Sequence, residues 1–196
     1  MAPPGRERLS IAERSAVVIT IGSLVIFGTY GFSRHEPSTA AYLVSVIALG
    51  AGIAFVRRRP LRGWLALALA GLAAGHLAGG LVTVGNDVLY NAHPSIRIFQ
   101  YDHVFHATAS GVATIVLWTF VASELDAMVG AIVLSGLGAL GVGAINEVIE
   151  FLATLAHHGR HVGGYHNTGW DLISNMVGAL TASLVLGCFA ERHPDR

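Results

Sequence analysis

Asp102 with His106, Glu147 with Glu150, and Asp171 with Asn175 form three polar pairs spaced three or four residues apart in apolar surroundings. Residues at that spacing share one face of a helix, so each pair is one helix presenting two polar side chains in the same direction. Imidazole set among several carboxylates is a donor set for a divalent metal, suiting zinc, iron or manganese better than copper or calcium. The same groups are acids and bases. Glu147 or Glu150 is then a general base or a ligand, and His106 a ligand or proton carrier held by Asp102. Two neighbouring carboxylates in low dielectric are stable only when they share a proton or a cation, which also points to a metal set of Asp102, His106, Glu147, Glu150 and Asp171.

Most of this chemistry lies between Asn146 and Asn175, in NEVIEFLATLAHHGRHVGGYHNTGWDLISN. A loop over 156–169 carries His157, His158, Arg160, His161 and His166, of which His161 and His166 are candidate pocket residues beside Asn175. His76, in an earlier apolar run, adds a fourth helix. Ionisable groups bordering lipid are costly unless they pair, bind metal or face a polar cavity.

Structural roles compete with this reading. Thr168-Gly-Trp-Asp171 has the pattern of a capping box, which makes Asp171 a helix cap. Asp102 can complement a helix dipole. A helix ending at Asn146 leaves Glu147 and Glu150 in water, His76 can be a lone helix contact, and a histidine-rich loop can be plain solvated surface. That all of them fall on one side favours a pocket. The row Asp102, His106, Ser110 is not a nucleophile triad, because the base of a triad stands between nucleophile and acid and the three come from separate elements. Ser110 reads as a packing residue.

The elements that must position these groups follow from composition. The chain has 196 residues, 53% hydrophobic and 12% charged, with a mean hydropathy of +0.60. That places it in the membrane class. Six apolar runs, over 16–32, 40–56, 63–84, 101–122, 127 to about 151, and 170–190, each approach the ~20 residues that cross a ~30 Å hydrocarbon core. We expect an all-α polytopic bundle of about six transmembrane helices forming a single integral membrane domain, 1–196. The first run reads as a retained helix, since no small-x-small cleavage site follows it. With six spans, one side holds nine arginines and the other only Arg34, Arg97 and Arg160. Short positive loops stay in the cytoplasm, so both termini are expected there and the histidine loop outside. Gly71, Gly75 and Gly79, and Gly136, Gly138, Gly141 and Gly143, suggest close helix packing. No solenoid repeat is present. A zero net charge, with twelve Arg and no Lys, leaves no basic surplus for a nucleic-acid partner. The lone Cys188 allows no internal disulfide. Membrane lipid is the expected partner, with a homo-oligomer left open.

The segments YDHVFHATAS, NEVIEF and TGWDLISNMVGAL resemble the YjdF-like inner-membrane proteins, and more distantly the VanZ-like family associated with teicoplanin resistance. The resemblance covers residues 101–182. It aligns Asp102 and His106, Glu147 and Glu150, and Asp171 with the D-x3-H, glutamate-bearing helix and final aspartate of those families. The VanZ-like D-x3-N-x2-G is matched by Asp171, Asn175 and Gly178. The chain departs from the YjdF-like pattern at Asn167, where an acid is usual. It departs from the VanZ-like pattern at Glu150, usually Gln, and in the distance of Arg160 from the last aspartate. The resemblance implies a protein of the bacterial inner membrane and names no reaction.

The reading favoured by these residues is a pocket in the extracytoplasmic leaflet, metal-dependent, acting on a lipid or lipid-linked envelope compound. A proton-coupled transporter is the first alternative, and a non-catalytic membrane subunit or accessory protein the second. A permease needs polar residues continuing inward. The inner halves of these helices are nearly bare of them.

Overall fold

Among the described residues, apolar runs with few helix breakers become six α-helices: α1 (Ile11–Ser33), α2 (Thr39–Val56), α3 (Gly63–Leu81), α4 (Tyr101–Val121), α5 (Met128–His157) and α6 (Gly164–Arg192). The structure, a computed structural model, describes residues 9–56, 61–92, 100–157 and 164–192. Five of the helices are long and apolar enough to cross a membrane, while the apolar stretch of α2, Thr39–Phe55, is shorter.

Three boundaries differ from the sequence reading. The third helix stops at Leu81, and residues 83–88 form a small antiparallel hairpin, β1 (Thr83–Val84) with β2 (Asp87–Val88), followed by a single 3-10 turn at Leu89–Asn91. Val-Thr-Val is β-branched and Gly85-Asn86 is turn chemistry, so this end of the run favours a hairpin over a helix. The fifth helix continues to His157, because EVIEFLATLAH contains neither Gly nor Pro and is rich in strong helix formers. The sixth starts at Gly164, six residues before Trp170.

The chain divides into two compact units, residues 1–77 and 78–196, with the division inside α3. In the first unit α1 and α2 pack together. A capping box opens α1: Glu13 N–H donates to Ser10 Oγ at 3.2 Å, and Ser10 N–H to Glu13 Oε2 at 2.8 Å.

In the second unit α4, α5 and α6 pack on one another. The closest approach is made at Gly178 of α6, where a Cβ would overlap the carbonyl of Ala107 on α4. Only glycine permits that spacing. Tyr90, from the 3-10 turn, stacks near Tyr101 and Phe105 at the start of α4, with ring centroids 5.8 and 5.7 Å away.

Burial in this unit is inverted relative to a water-soluble bundle. Asp102, His103, His106, Glu147, Asp171 and Asn175 are buried, while Val133, Leu137, Ile145, Val148 and Ile149 on α5 and Leu172, Ile173, Met176 and Leu180 on α6 face outward. Helices in lipid gain nothing by hiding Leu from hydrocarbon, so packing and polar contacts take the interior instead.

Candidate functional site

His106 stands where the three helices of the second unit meet, and its two ring nitrogens face different partners. Nε2 lies 3.4 Å from Asp102 Oδ1, one turn back on α4. Nδ1 lies 3.3 Å from Asn175 Oδ1 on α6 and 3.7 Å from Glu147 Oε1 on α5. The Asn175 amide packs against Gly143 of α5, where an added Cβ would come within 2.6 Å of Asn175 Nδ2. A small residue at 143 is therefore what lets Asn175 reach the imidazole.

On the Nε2 side Asn167 joins two carboxylates. Its Nδ2 donates to Asp102 Oδ2 at 3.1 Å and to Asp171 Oδ2 at 2.5 Å. Asp171 is fully buried, and its other oxygen lies 3.9 Å from Nε2 of His103. His103 is itself buried, with its ring 6.0 Å from that of Trp170.

On the Nδ1 side the chain supplies acceptors. Glu147 is 5% exposed, and neither of its carboxylate oxygens has a hydrogen-bond partner among the described residues. The side chain of Thr168 stands near Glu147. Glu150, half-buried one turn further along α5, accepts from Asn146 Nδ2 at 2.7 Å through Oε1.

Two sets of donor atoms come within 4.8 Å of one another: Asp102, His106 and Asp171, and His106, Glu147 and Glu150. Either set can hold a metal ion, and His106 belongs to both. Four carboxylates around two imidazoles carry a negative surplus that a low-dielectric interior does not tolerate without protons or a cation. At 1.5 Å per residue His106 is about 8 Å past Tyr101, Glu147 about 8 Å before Leu152 and Asp171 about 9 Å past Tyr165, the ends of the three candidate spans.

Asp102, His106, Glu147, Glu150, Asp171 and Asn175, singled out from spacing alone, are thus brought together. The structural alternatives for three of them fail. Asp171 lies two turns inside α6 and cannot cap it, because the helix starts at Gly164. Glu147 and Glu150 lie within α5, which runs ten residues past Glu147. His76 belongs to the first unit, where its Nε2 is 3.0 Å from Ser45 Oγ and its ring 5.1 Å from that of Tyr42. His166 is not in a loop but in the first turn of α6, exposed and against Tyr165. His161, with His158 and Arg160, lies outside the described residues, as does the side chain of His157.

Sequence reasoning passed over His103 and met Asn167 only as a departure from the YjdF-like pattern. His103 is three residues from His106 and so shares its broad face, a signal hidden by the neater Asp102/His106 pair. Asn167 sits four residues before Asp171, and the helix that gives this spacing meaning begins earlier than its apolar run.

The family model described as Predicted membrane protein (DUF2238) matches residues 15–192. Nothing matches among curated proteins or among solved structures.

Proposed function

The chain belongs to the DUF2238 family of predicted membrane proteins, and from that premise we propose that it is a multi-pass protein of the bacterial inner membrane whose buried Asp/His/Glu group holds a divalent metal and acts on a lipid or lipid-linked envelope compound. The observation that carries the reading is the place of His106, with a carboxylate or amide oxygen from each of three helices within 3.7 Å of its ring nitrogens. Such a cation, zinc, iron or manganese by donor type, supplies Lewis-acid polarisation of a phosphoryl or ester oxygen. Asp102 orients the imidazole, and Glu147 and Glu150 bind the cation or move a proton.

The substrate class follows from depth and orientation. A group about 8–9 Å from the ends of the candidate spans lies near the level of lipid head groups and ester linkages. With six spans, the nine-to-three arginine division supports both termini in the cytoplasm and the pocket in the outer leaflet. The distant VanZ-like resemblance agrees with an envelope compound. A proton-coupled transporter fits less well. Beyond His106, α4 carries no titratable residue. Of the buried hydroxyls below it, Thr114 and Ser135 fold back on their own helices, onto Ser110 O at 2.9 Å and Ala131 O at 2.6 Å, while Ser110 Oγ has no hydrogen-bond partner among the described residues.

Metal analysis of detergent-purified protein tests the reading. After equilibration with zinc, manganese or iron and removal of free metal, the wild-type chain should retain about one cation and His106→Gln almost none. A wild-type chain that retains none of the three sinks the metal reading, and a metal-loaded chain whose His106→Gln variant still complements a deletion strain sinks the functional one.

A further inference from the structure

Resting on the metal reading just given, we propose which side of His106 the cation occupies: the Nδ1 side, with His106, Glu147 and Glu150 as ligands and Asn175 Oδ1 beside them, while Asp102 is a positioning residue on Nε2. The two sides differ in what they lack. Between Asp102 and Asp171 a donor is already present, since Asn167 Nδ2 bonds both carboxylates. That amide N–H is electropositive and occupies one oxygen of each aspartate; of the other two, Asp102 Oδ1 faces His106 Nε2, and Asp171 Oδ1, without a hydrogen bond among the described residues, lies 3.9 Å from His103 Nε2.

On the Nδ1 side the acceptors outnumber the donors that meet them among the described residues. Both Glu147 oxygens are buried without a hydrogen bond, and Asn175 turns its carbonyl oxygen, not its amide, toward Nδ1. Asn146 satisfies only one Glu150 oxygen. Buried oxygens without donors are costly, and a cation is the group that satisfies several of them at once. The remaining feature is the second nitrogen. A metal-bound imidazole commonly gives its other N–H to a carboxylate, which fixes its tautomer and raises its basicity. Asp102 Oδ1, 3.4 Å from Nε2 and tied from behind through Oδ2 to Asn167, stands in that position. With a metal bound, Nε2 would keep its proton for Asp102, and Nδ1, which otherwise donates to Asn175 Oδ1, would give up its proton to ligate.

Zinc titration of the full chain in detergent, monitored by calorimetry, distinguishes the two sides. Glu147→Gln and Glu150→Gln should each lose stoichiometric zinc binding. Asp102→Asn and Asp171→Asn should keep one zinc, with affinity lowered by about 10–100-fold at Asp102, as for the outer partner of a ligating histidine. The opposite pattern, binding lost in the aspartate variants and kept in the glutamate variants, overturns the assignment but leaves the metal reading standing. Absence of zinc, manganese and iron binding by the wild-type chain overturns both. Should a variant unfold, cadmium NMR on the otherwise wild-type chain decides, with His157, His158, His161 and His166 changed to Ala. Coupling of cadmium to a histidine nitrogen labelled at Nδ1 alone is expected. Coupling only in protein labelled at Nε2 overturns the proposal.

Discussion

His106 Nδ1 and Glu147 Oε1 face each other across the α4–α5 contact at 3.7 Å, with no hydrogen bond closing the gap to either glutamate oxygen. A buried carboxylate left in this state costs stability until a cation or proton meets it. Wild-type protein should therefore unfold at a lower temperature in chelator than in zinc. At zinc a hundredfold above Kd the stabilisation is about 2.7 kcal/mol. Glu147→Gln should abolish this zinc dependence and match or exceed the chelated wild type, because the uncompensated charge is gone. Scanning fluorimetry in detergent, with and without chelator, checks both; a variant as zinc-responsive as wild type counts against Glu147 as ligand.

Asn167→Ala removes the shared donor of Asp102 and Asp171 while leaving every proposed ligand in place. Two buried carboxylate oxygens lose their partner, so stability should fall by about 1–3 kcal/mol, the cost of an unsatisfied buried group. Zinc stoichiometry should be unchanged. Loss of zinc at unchanged thermal stability would make Asn167 part of the metal site and contradict the division of the cluster.

Gly178 and Gly141 are both helix glycines but differ in surroundings. A Cβ at Gly178 overlaps the Ala107 carbonyl, whereas one at Gly141 meets nothing within 4 Å. Gly178→Ala should destabilise by about 1–3 kcal/mol, as overpacking does, and weaken zinc binding by separating α4 from α6. Gly141→Ala should be neutral or slightly stabilising, since Ala is the better helix former. Thermal unfolding of the two variants side by side tests whether the α4–α6 contact holds the cluster together.

Orientation is accessible to cysteine labelling in a Cys188→Ser background. Asn86→Cys, on the hairpin, should react with a membrane-impermeant maleimide on intact cells, and Ser123→Cys, between α4 and α5, only after permeabilisation. The reverse pattern would move the cluster to the cytoplasmic leaflet and remove the argument for an envelope substrate.

Much of this protein was legible from residue types and spacing. Apolar runs of about twenty residues impose helices in lipid, because every backbone group must be satisfied within its own segment. The spacings of Asp102 and His106, Glu147 and Glu150, and Asp171 and Asn175 fixed which side chains share a face, since helical periodicity is a local property. Helix ends were less legible. The polar first turns of α6, from Gly164 to Gly169, carry no hydropathy signal, so Asp171 resembled a cap until the helix was seen to start earlier.

What only tertiary structure decided is which nitrogen of His106 meets which carboxylate. That depends on α4 and α6 approaching closely enough at Gly178 and Ala107, and on α5 offering Gly143 rather than a larger residue to Asn175. Interhelical spacing of this kind follows from pairwise fit between distant segments, which no single segment encodes. The same holds for Asn167, whose amide links Asp102 and Asp171 only because two helices 65 residues apart in sequence bring them together. It holds also for His76, whose partners Tyr42 and Ser45 lie on another helix of its own unit. The sequence by itself set the helices and their polar faces; the division of the cluster into a side bridged by Asn167 and a side where neither Glu147 oxygen has a hydrogen bond among the described residues arose from how three of those helices pack.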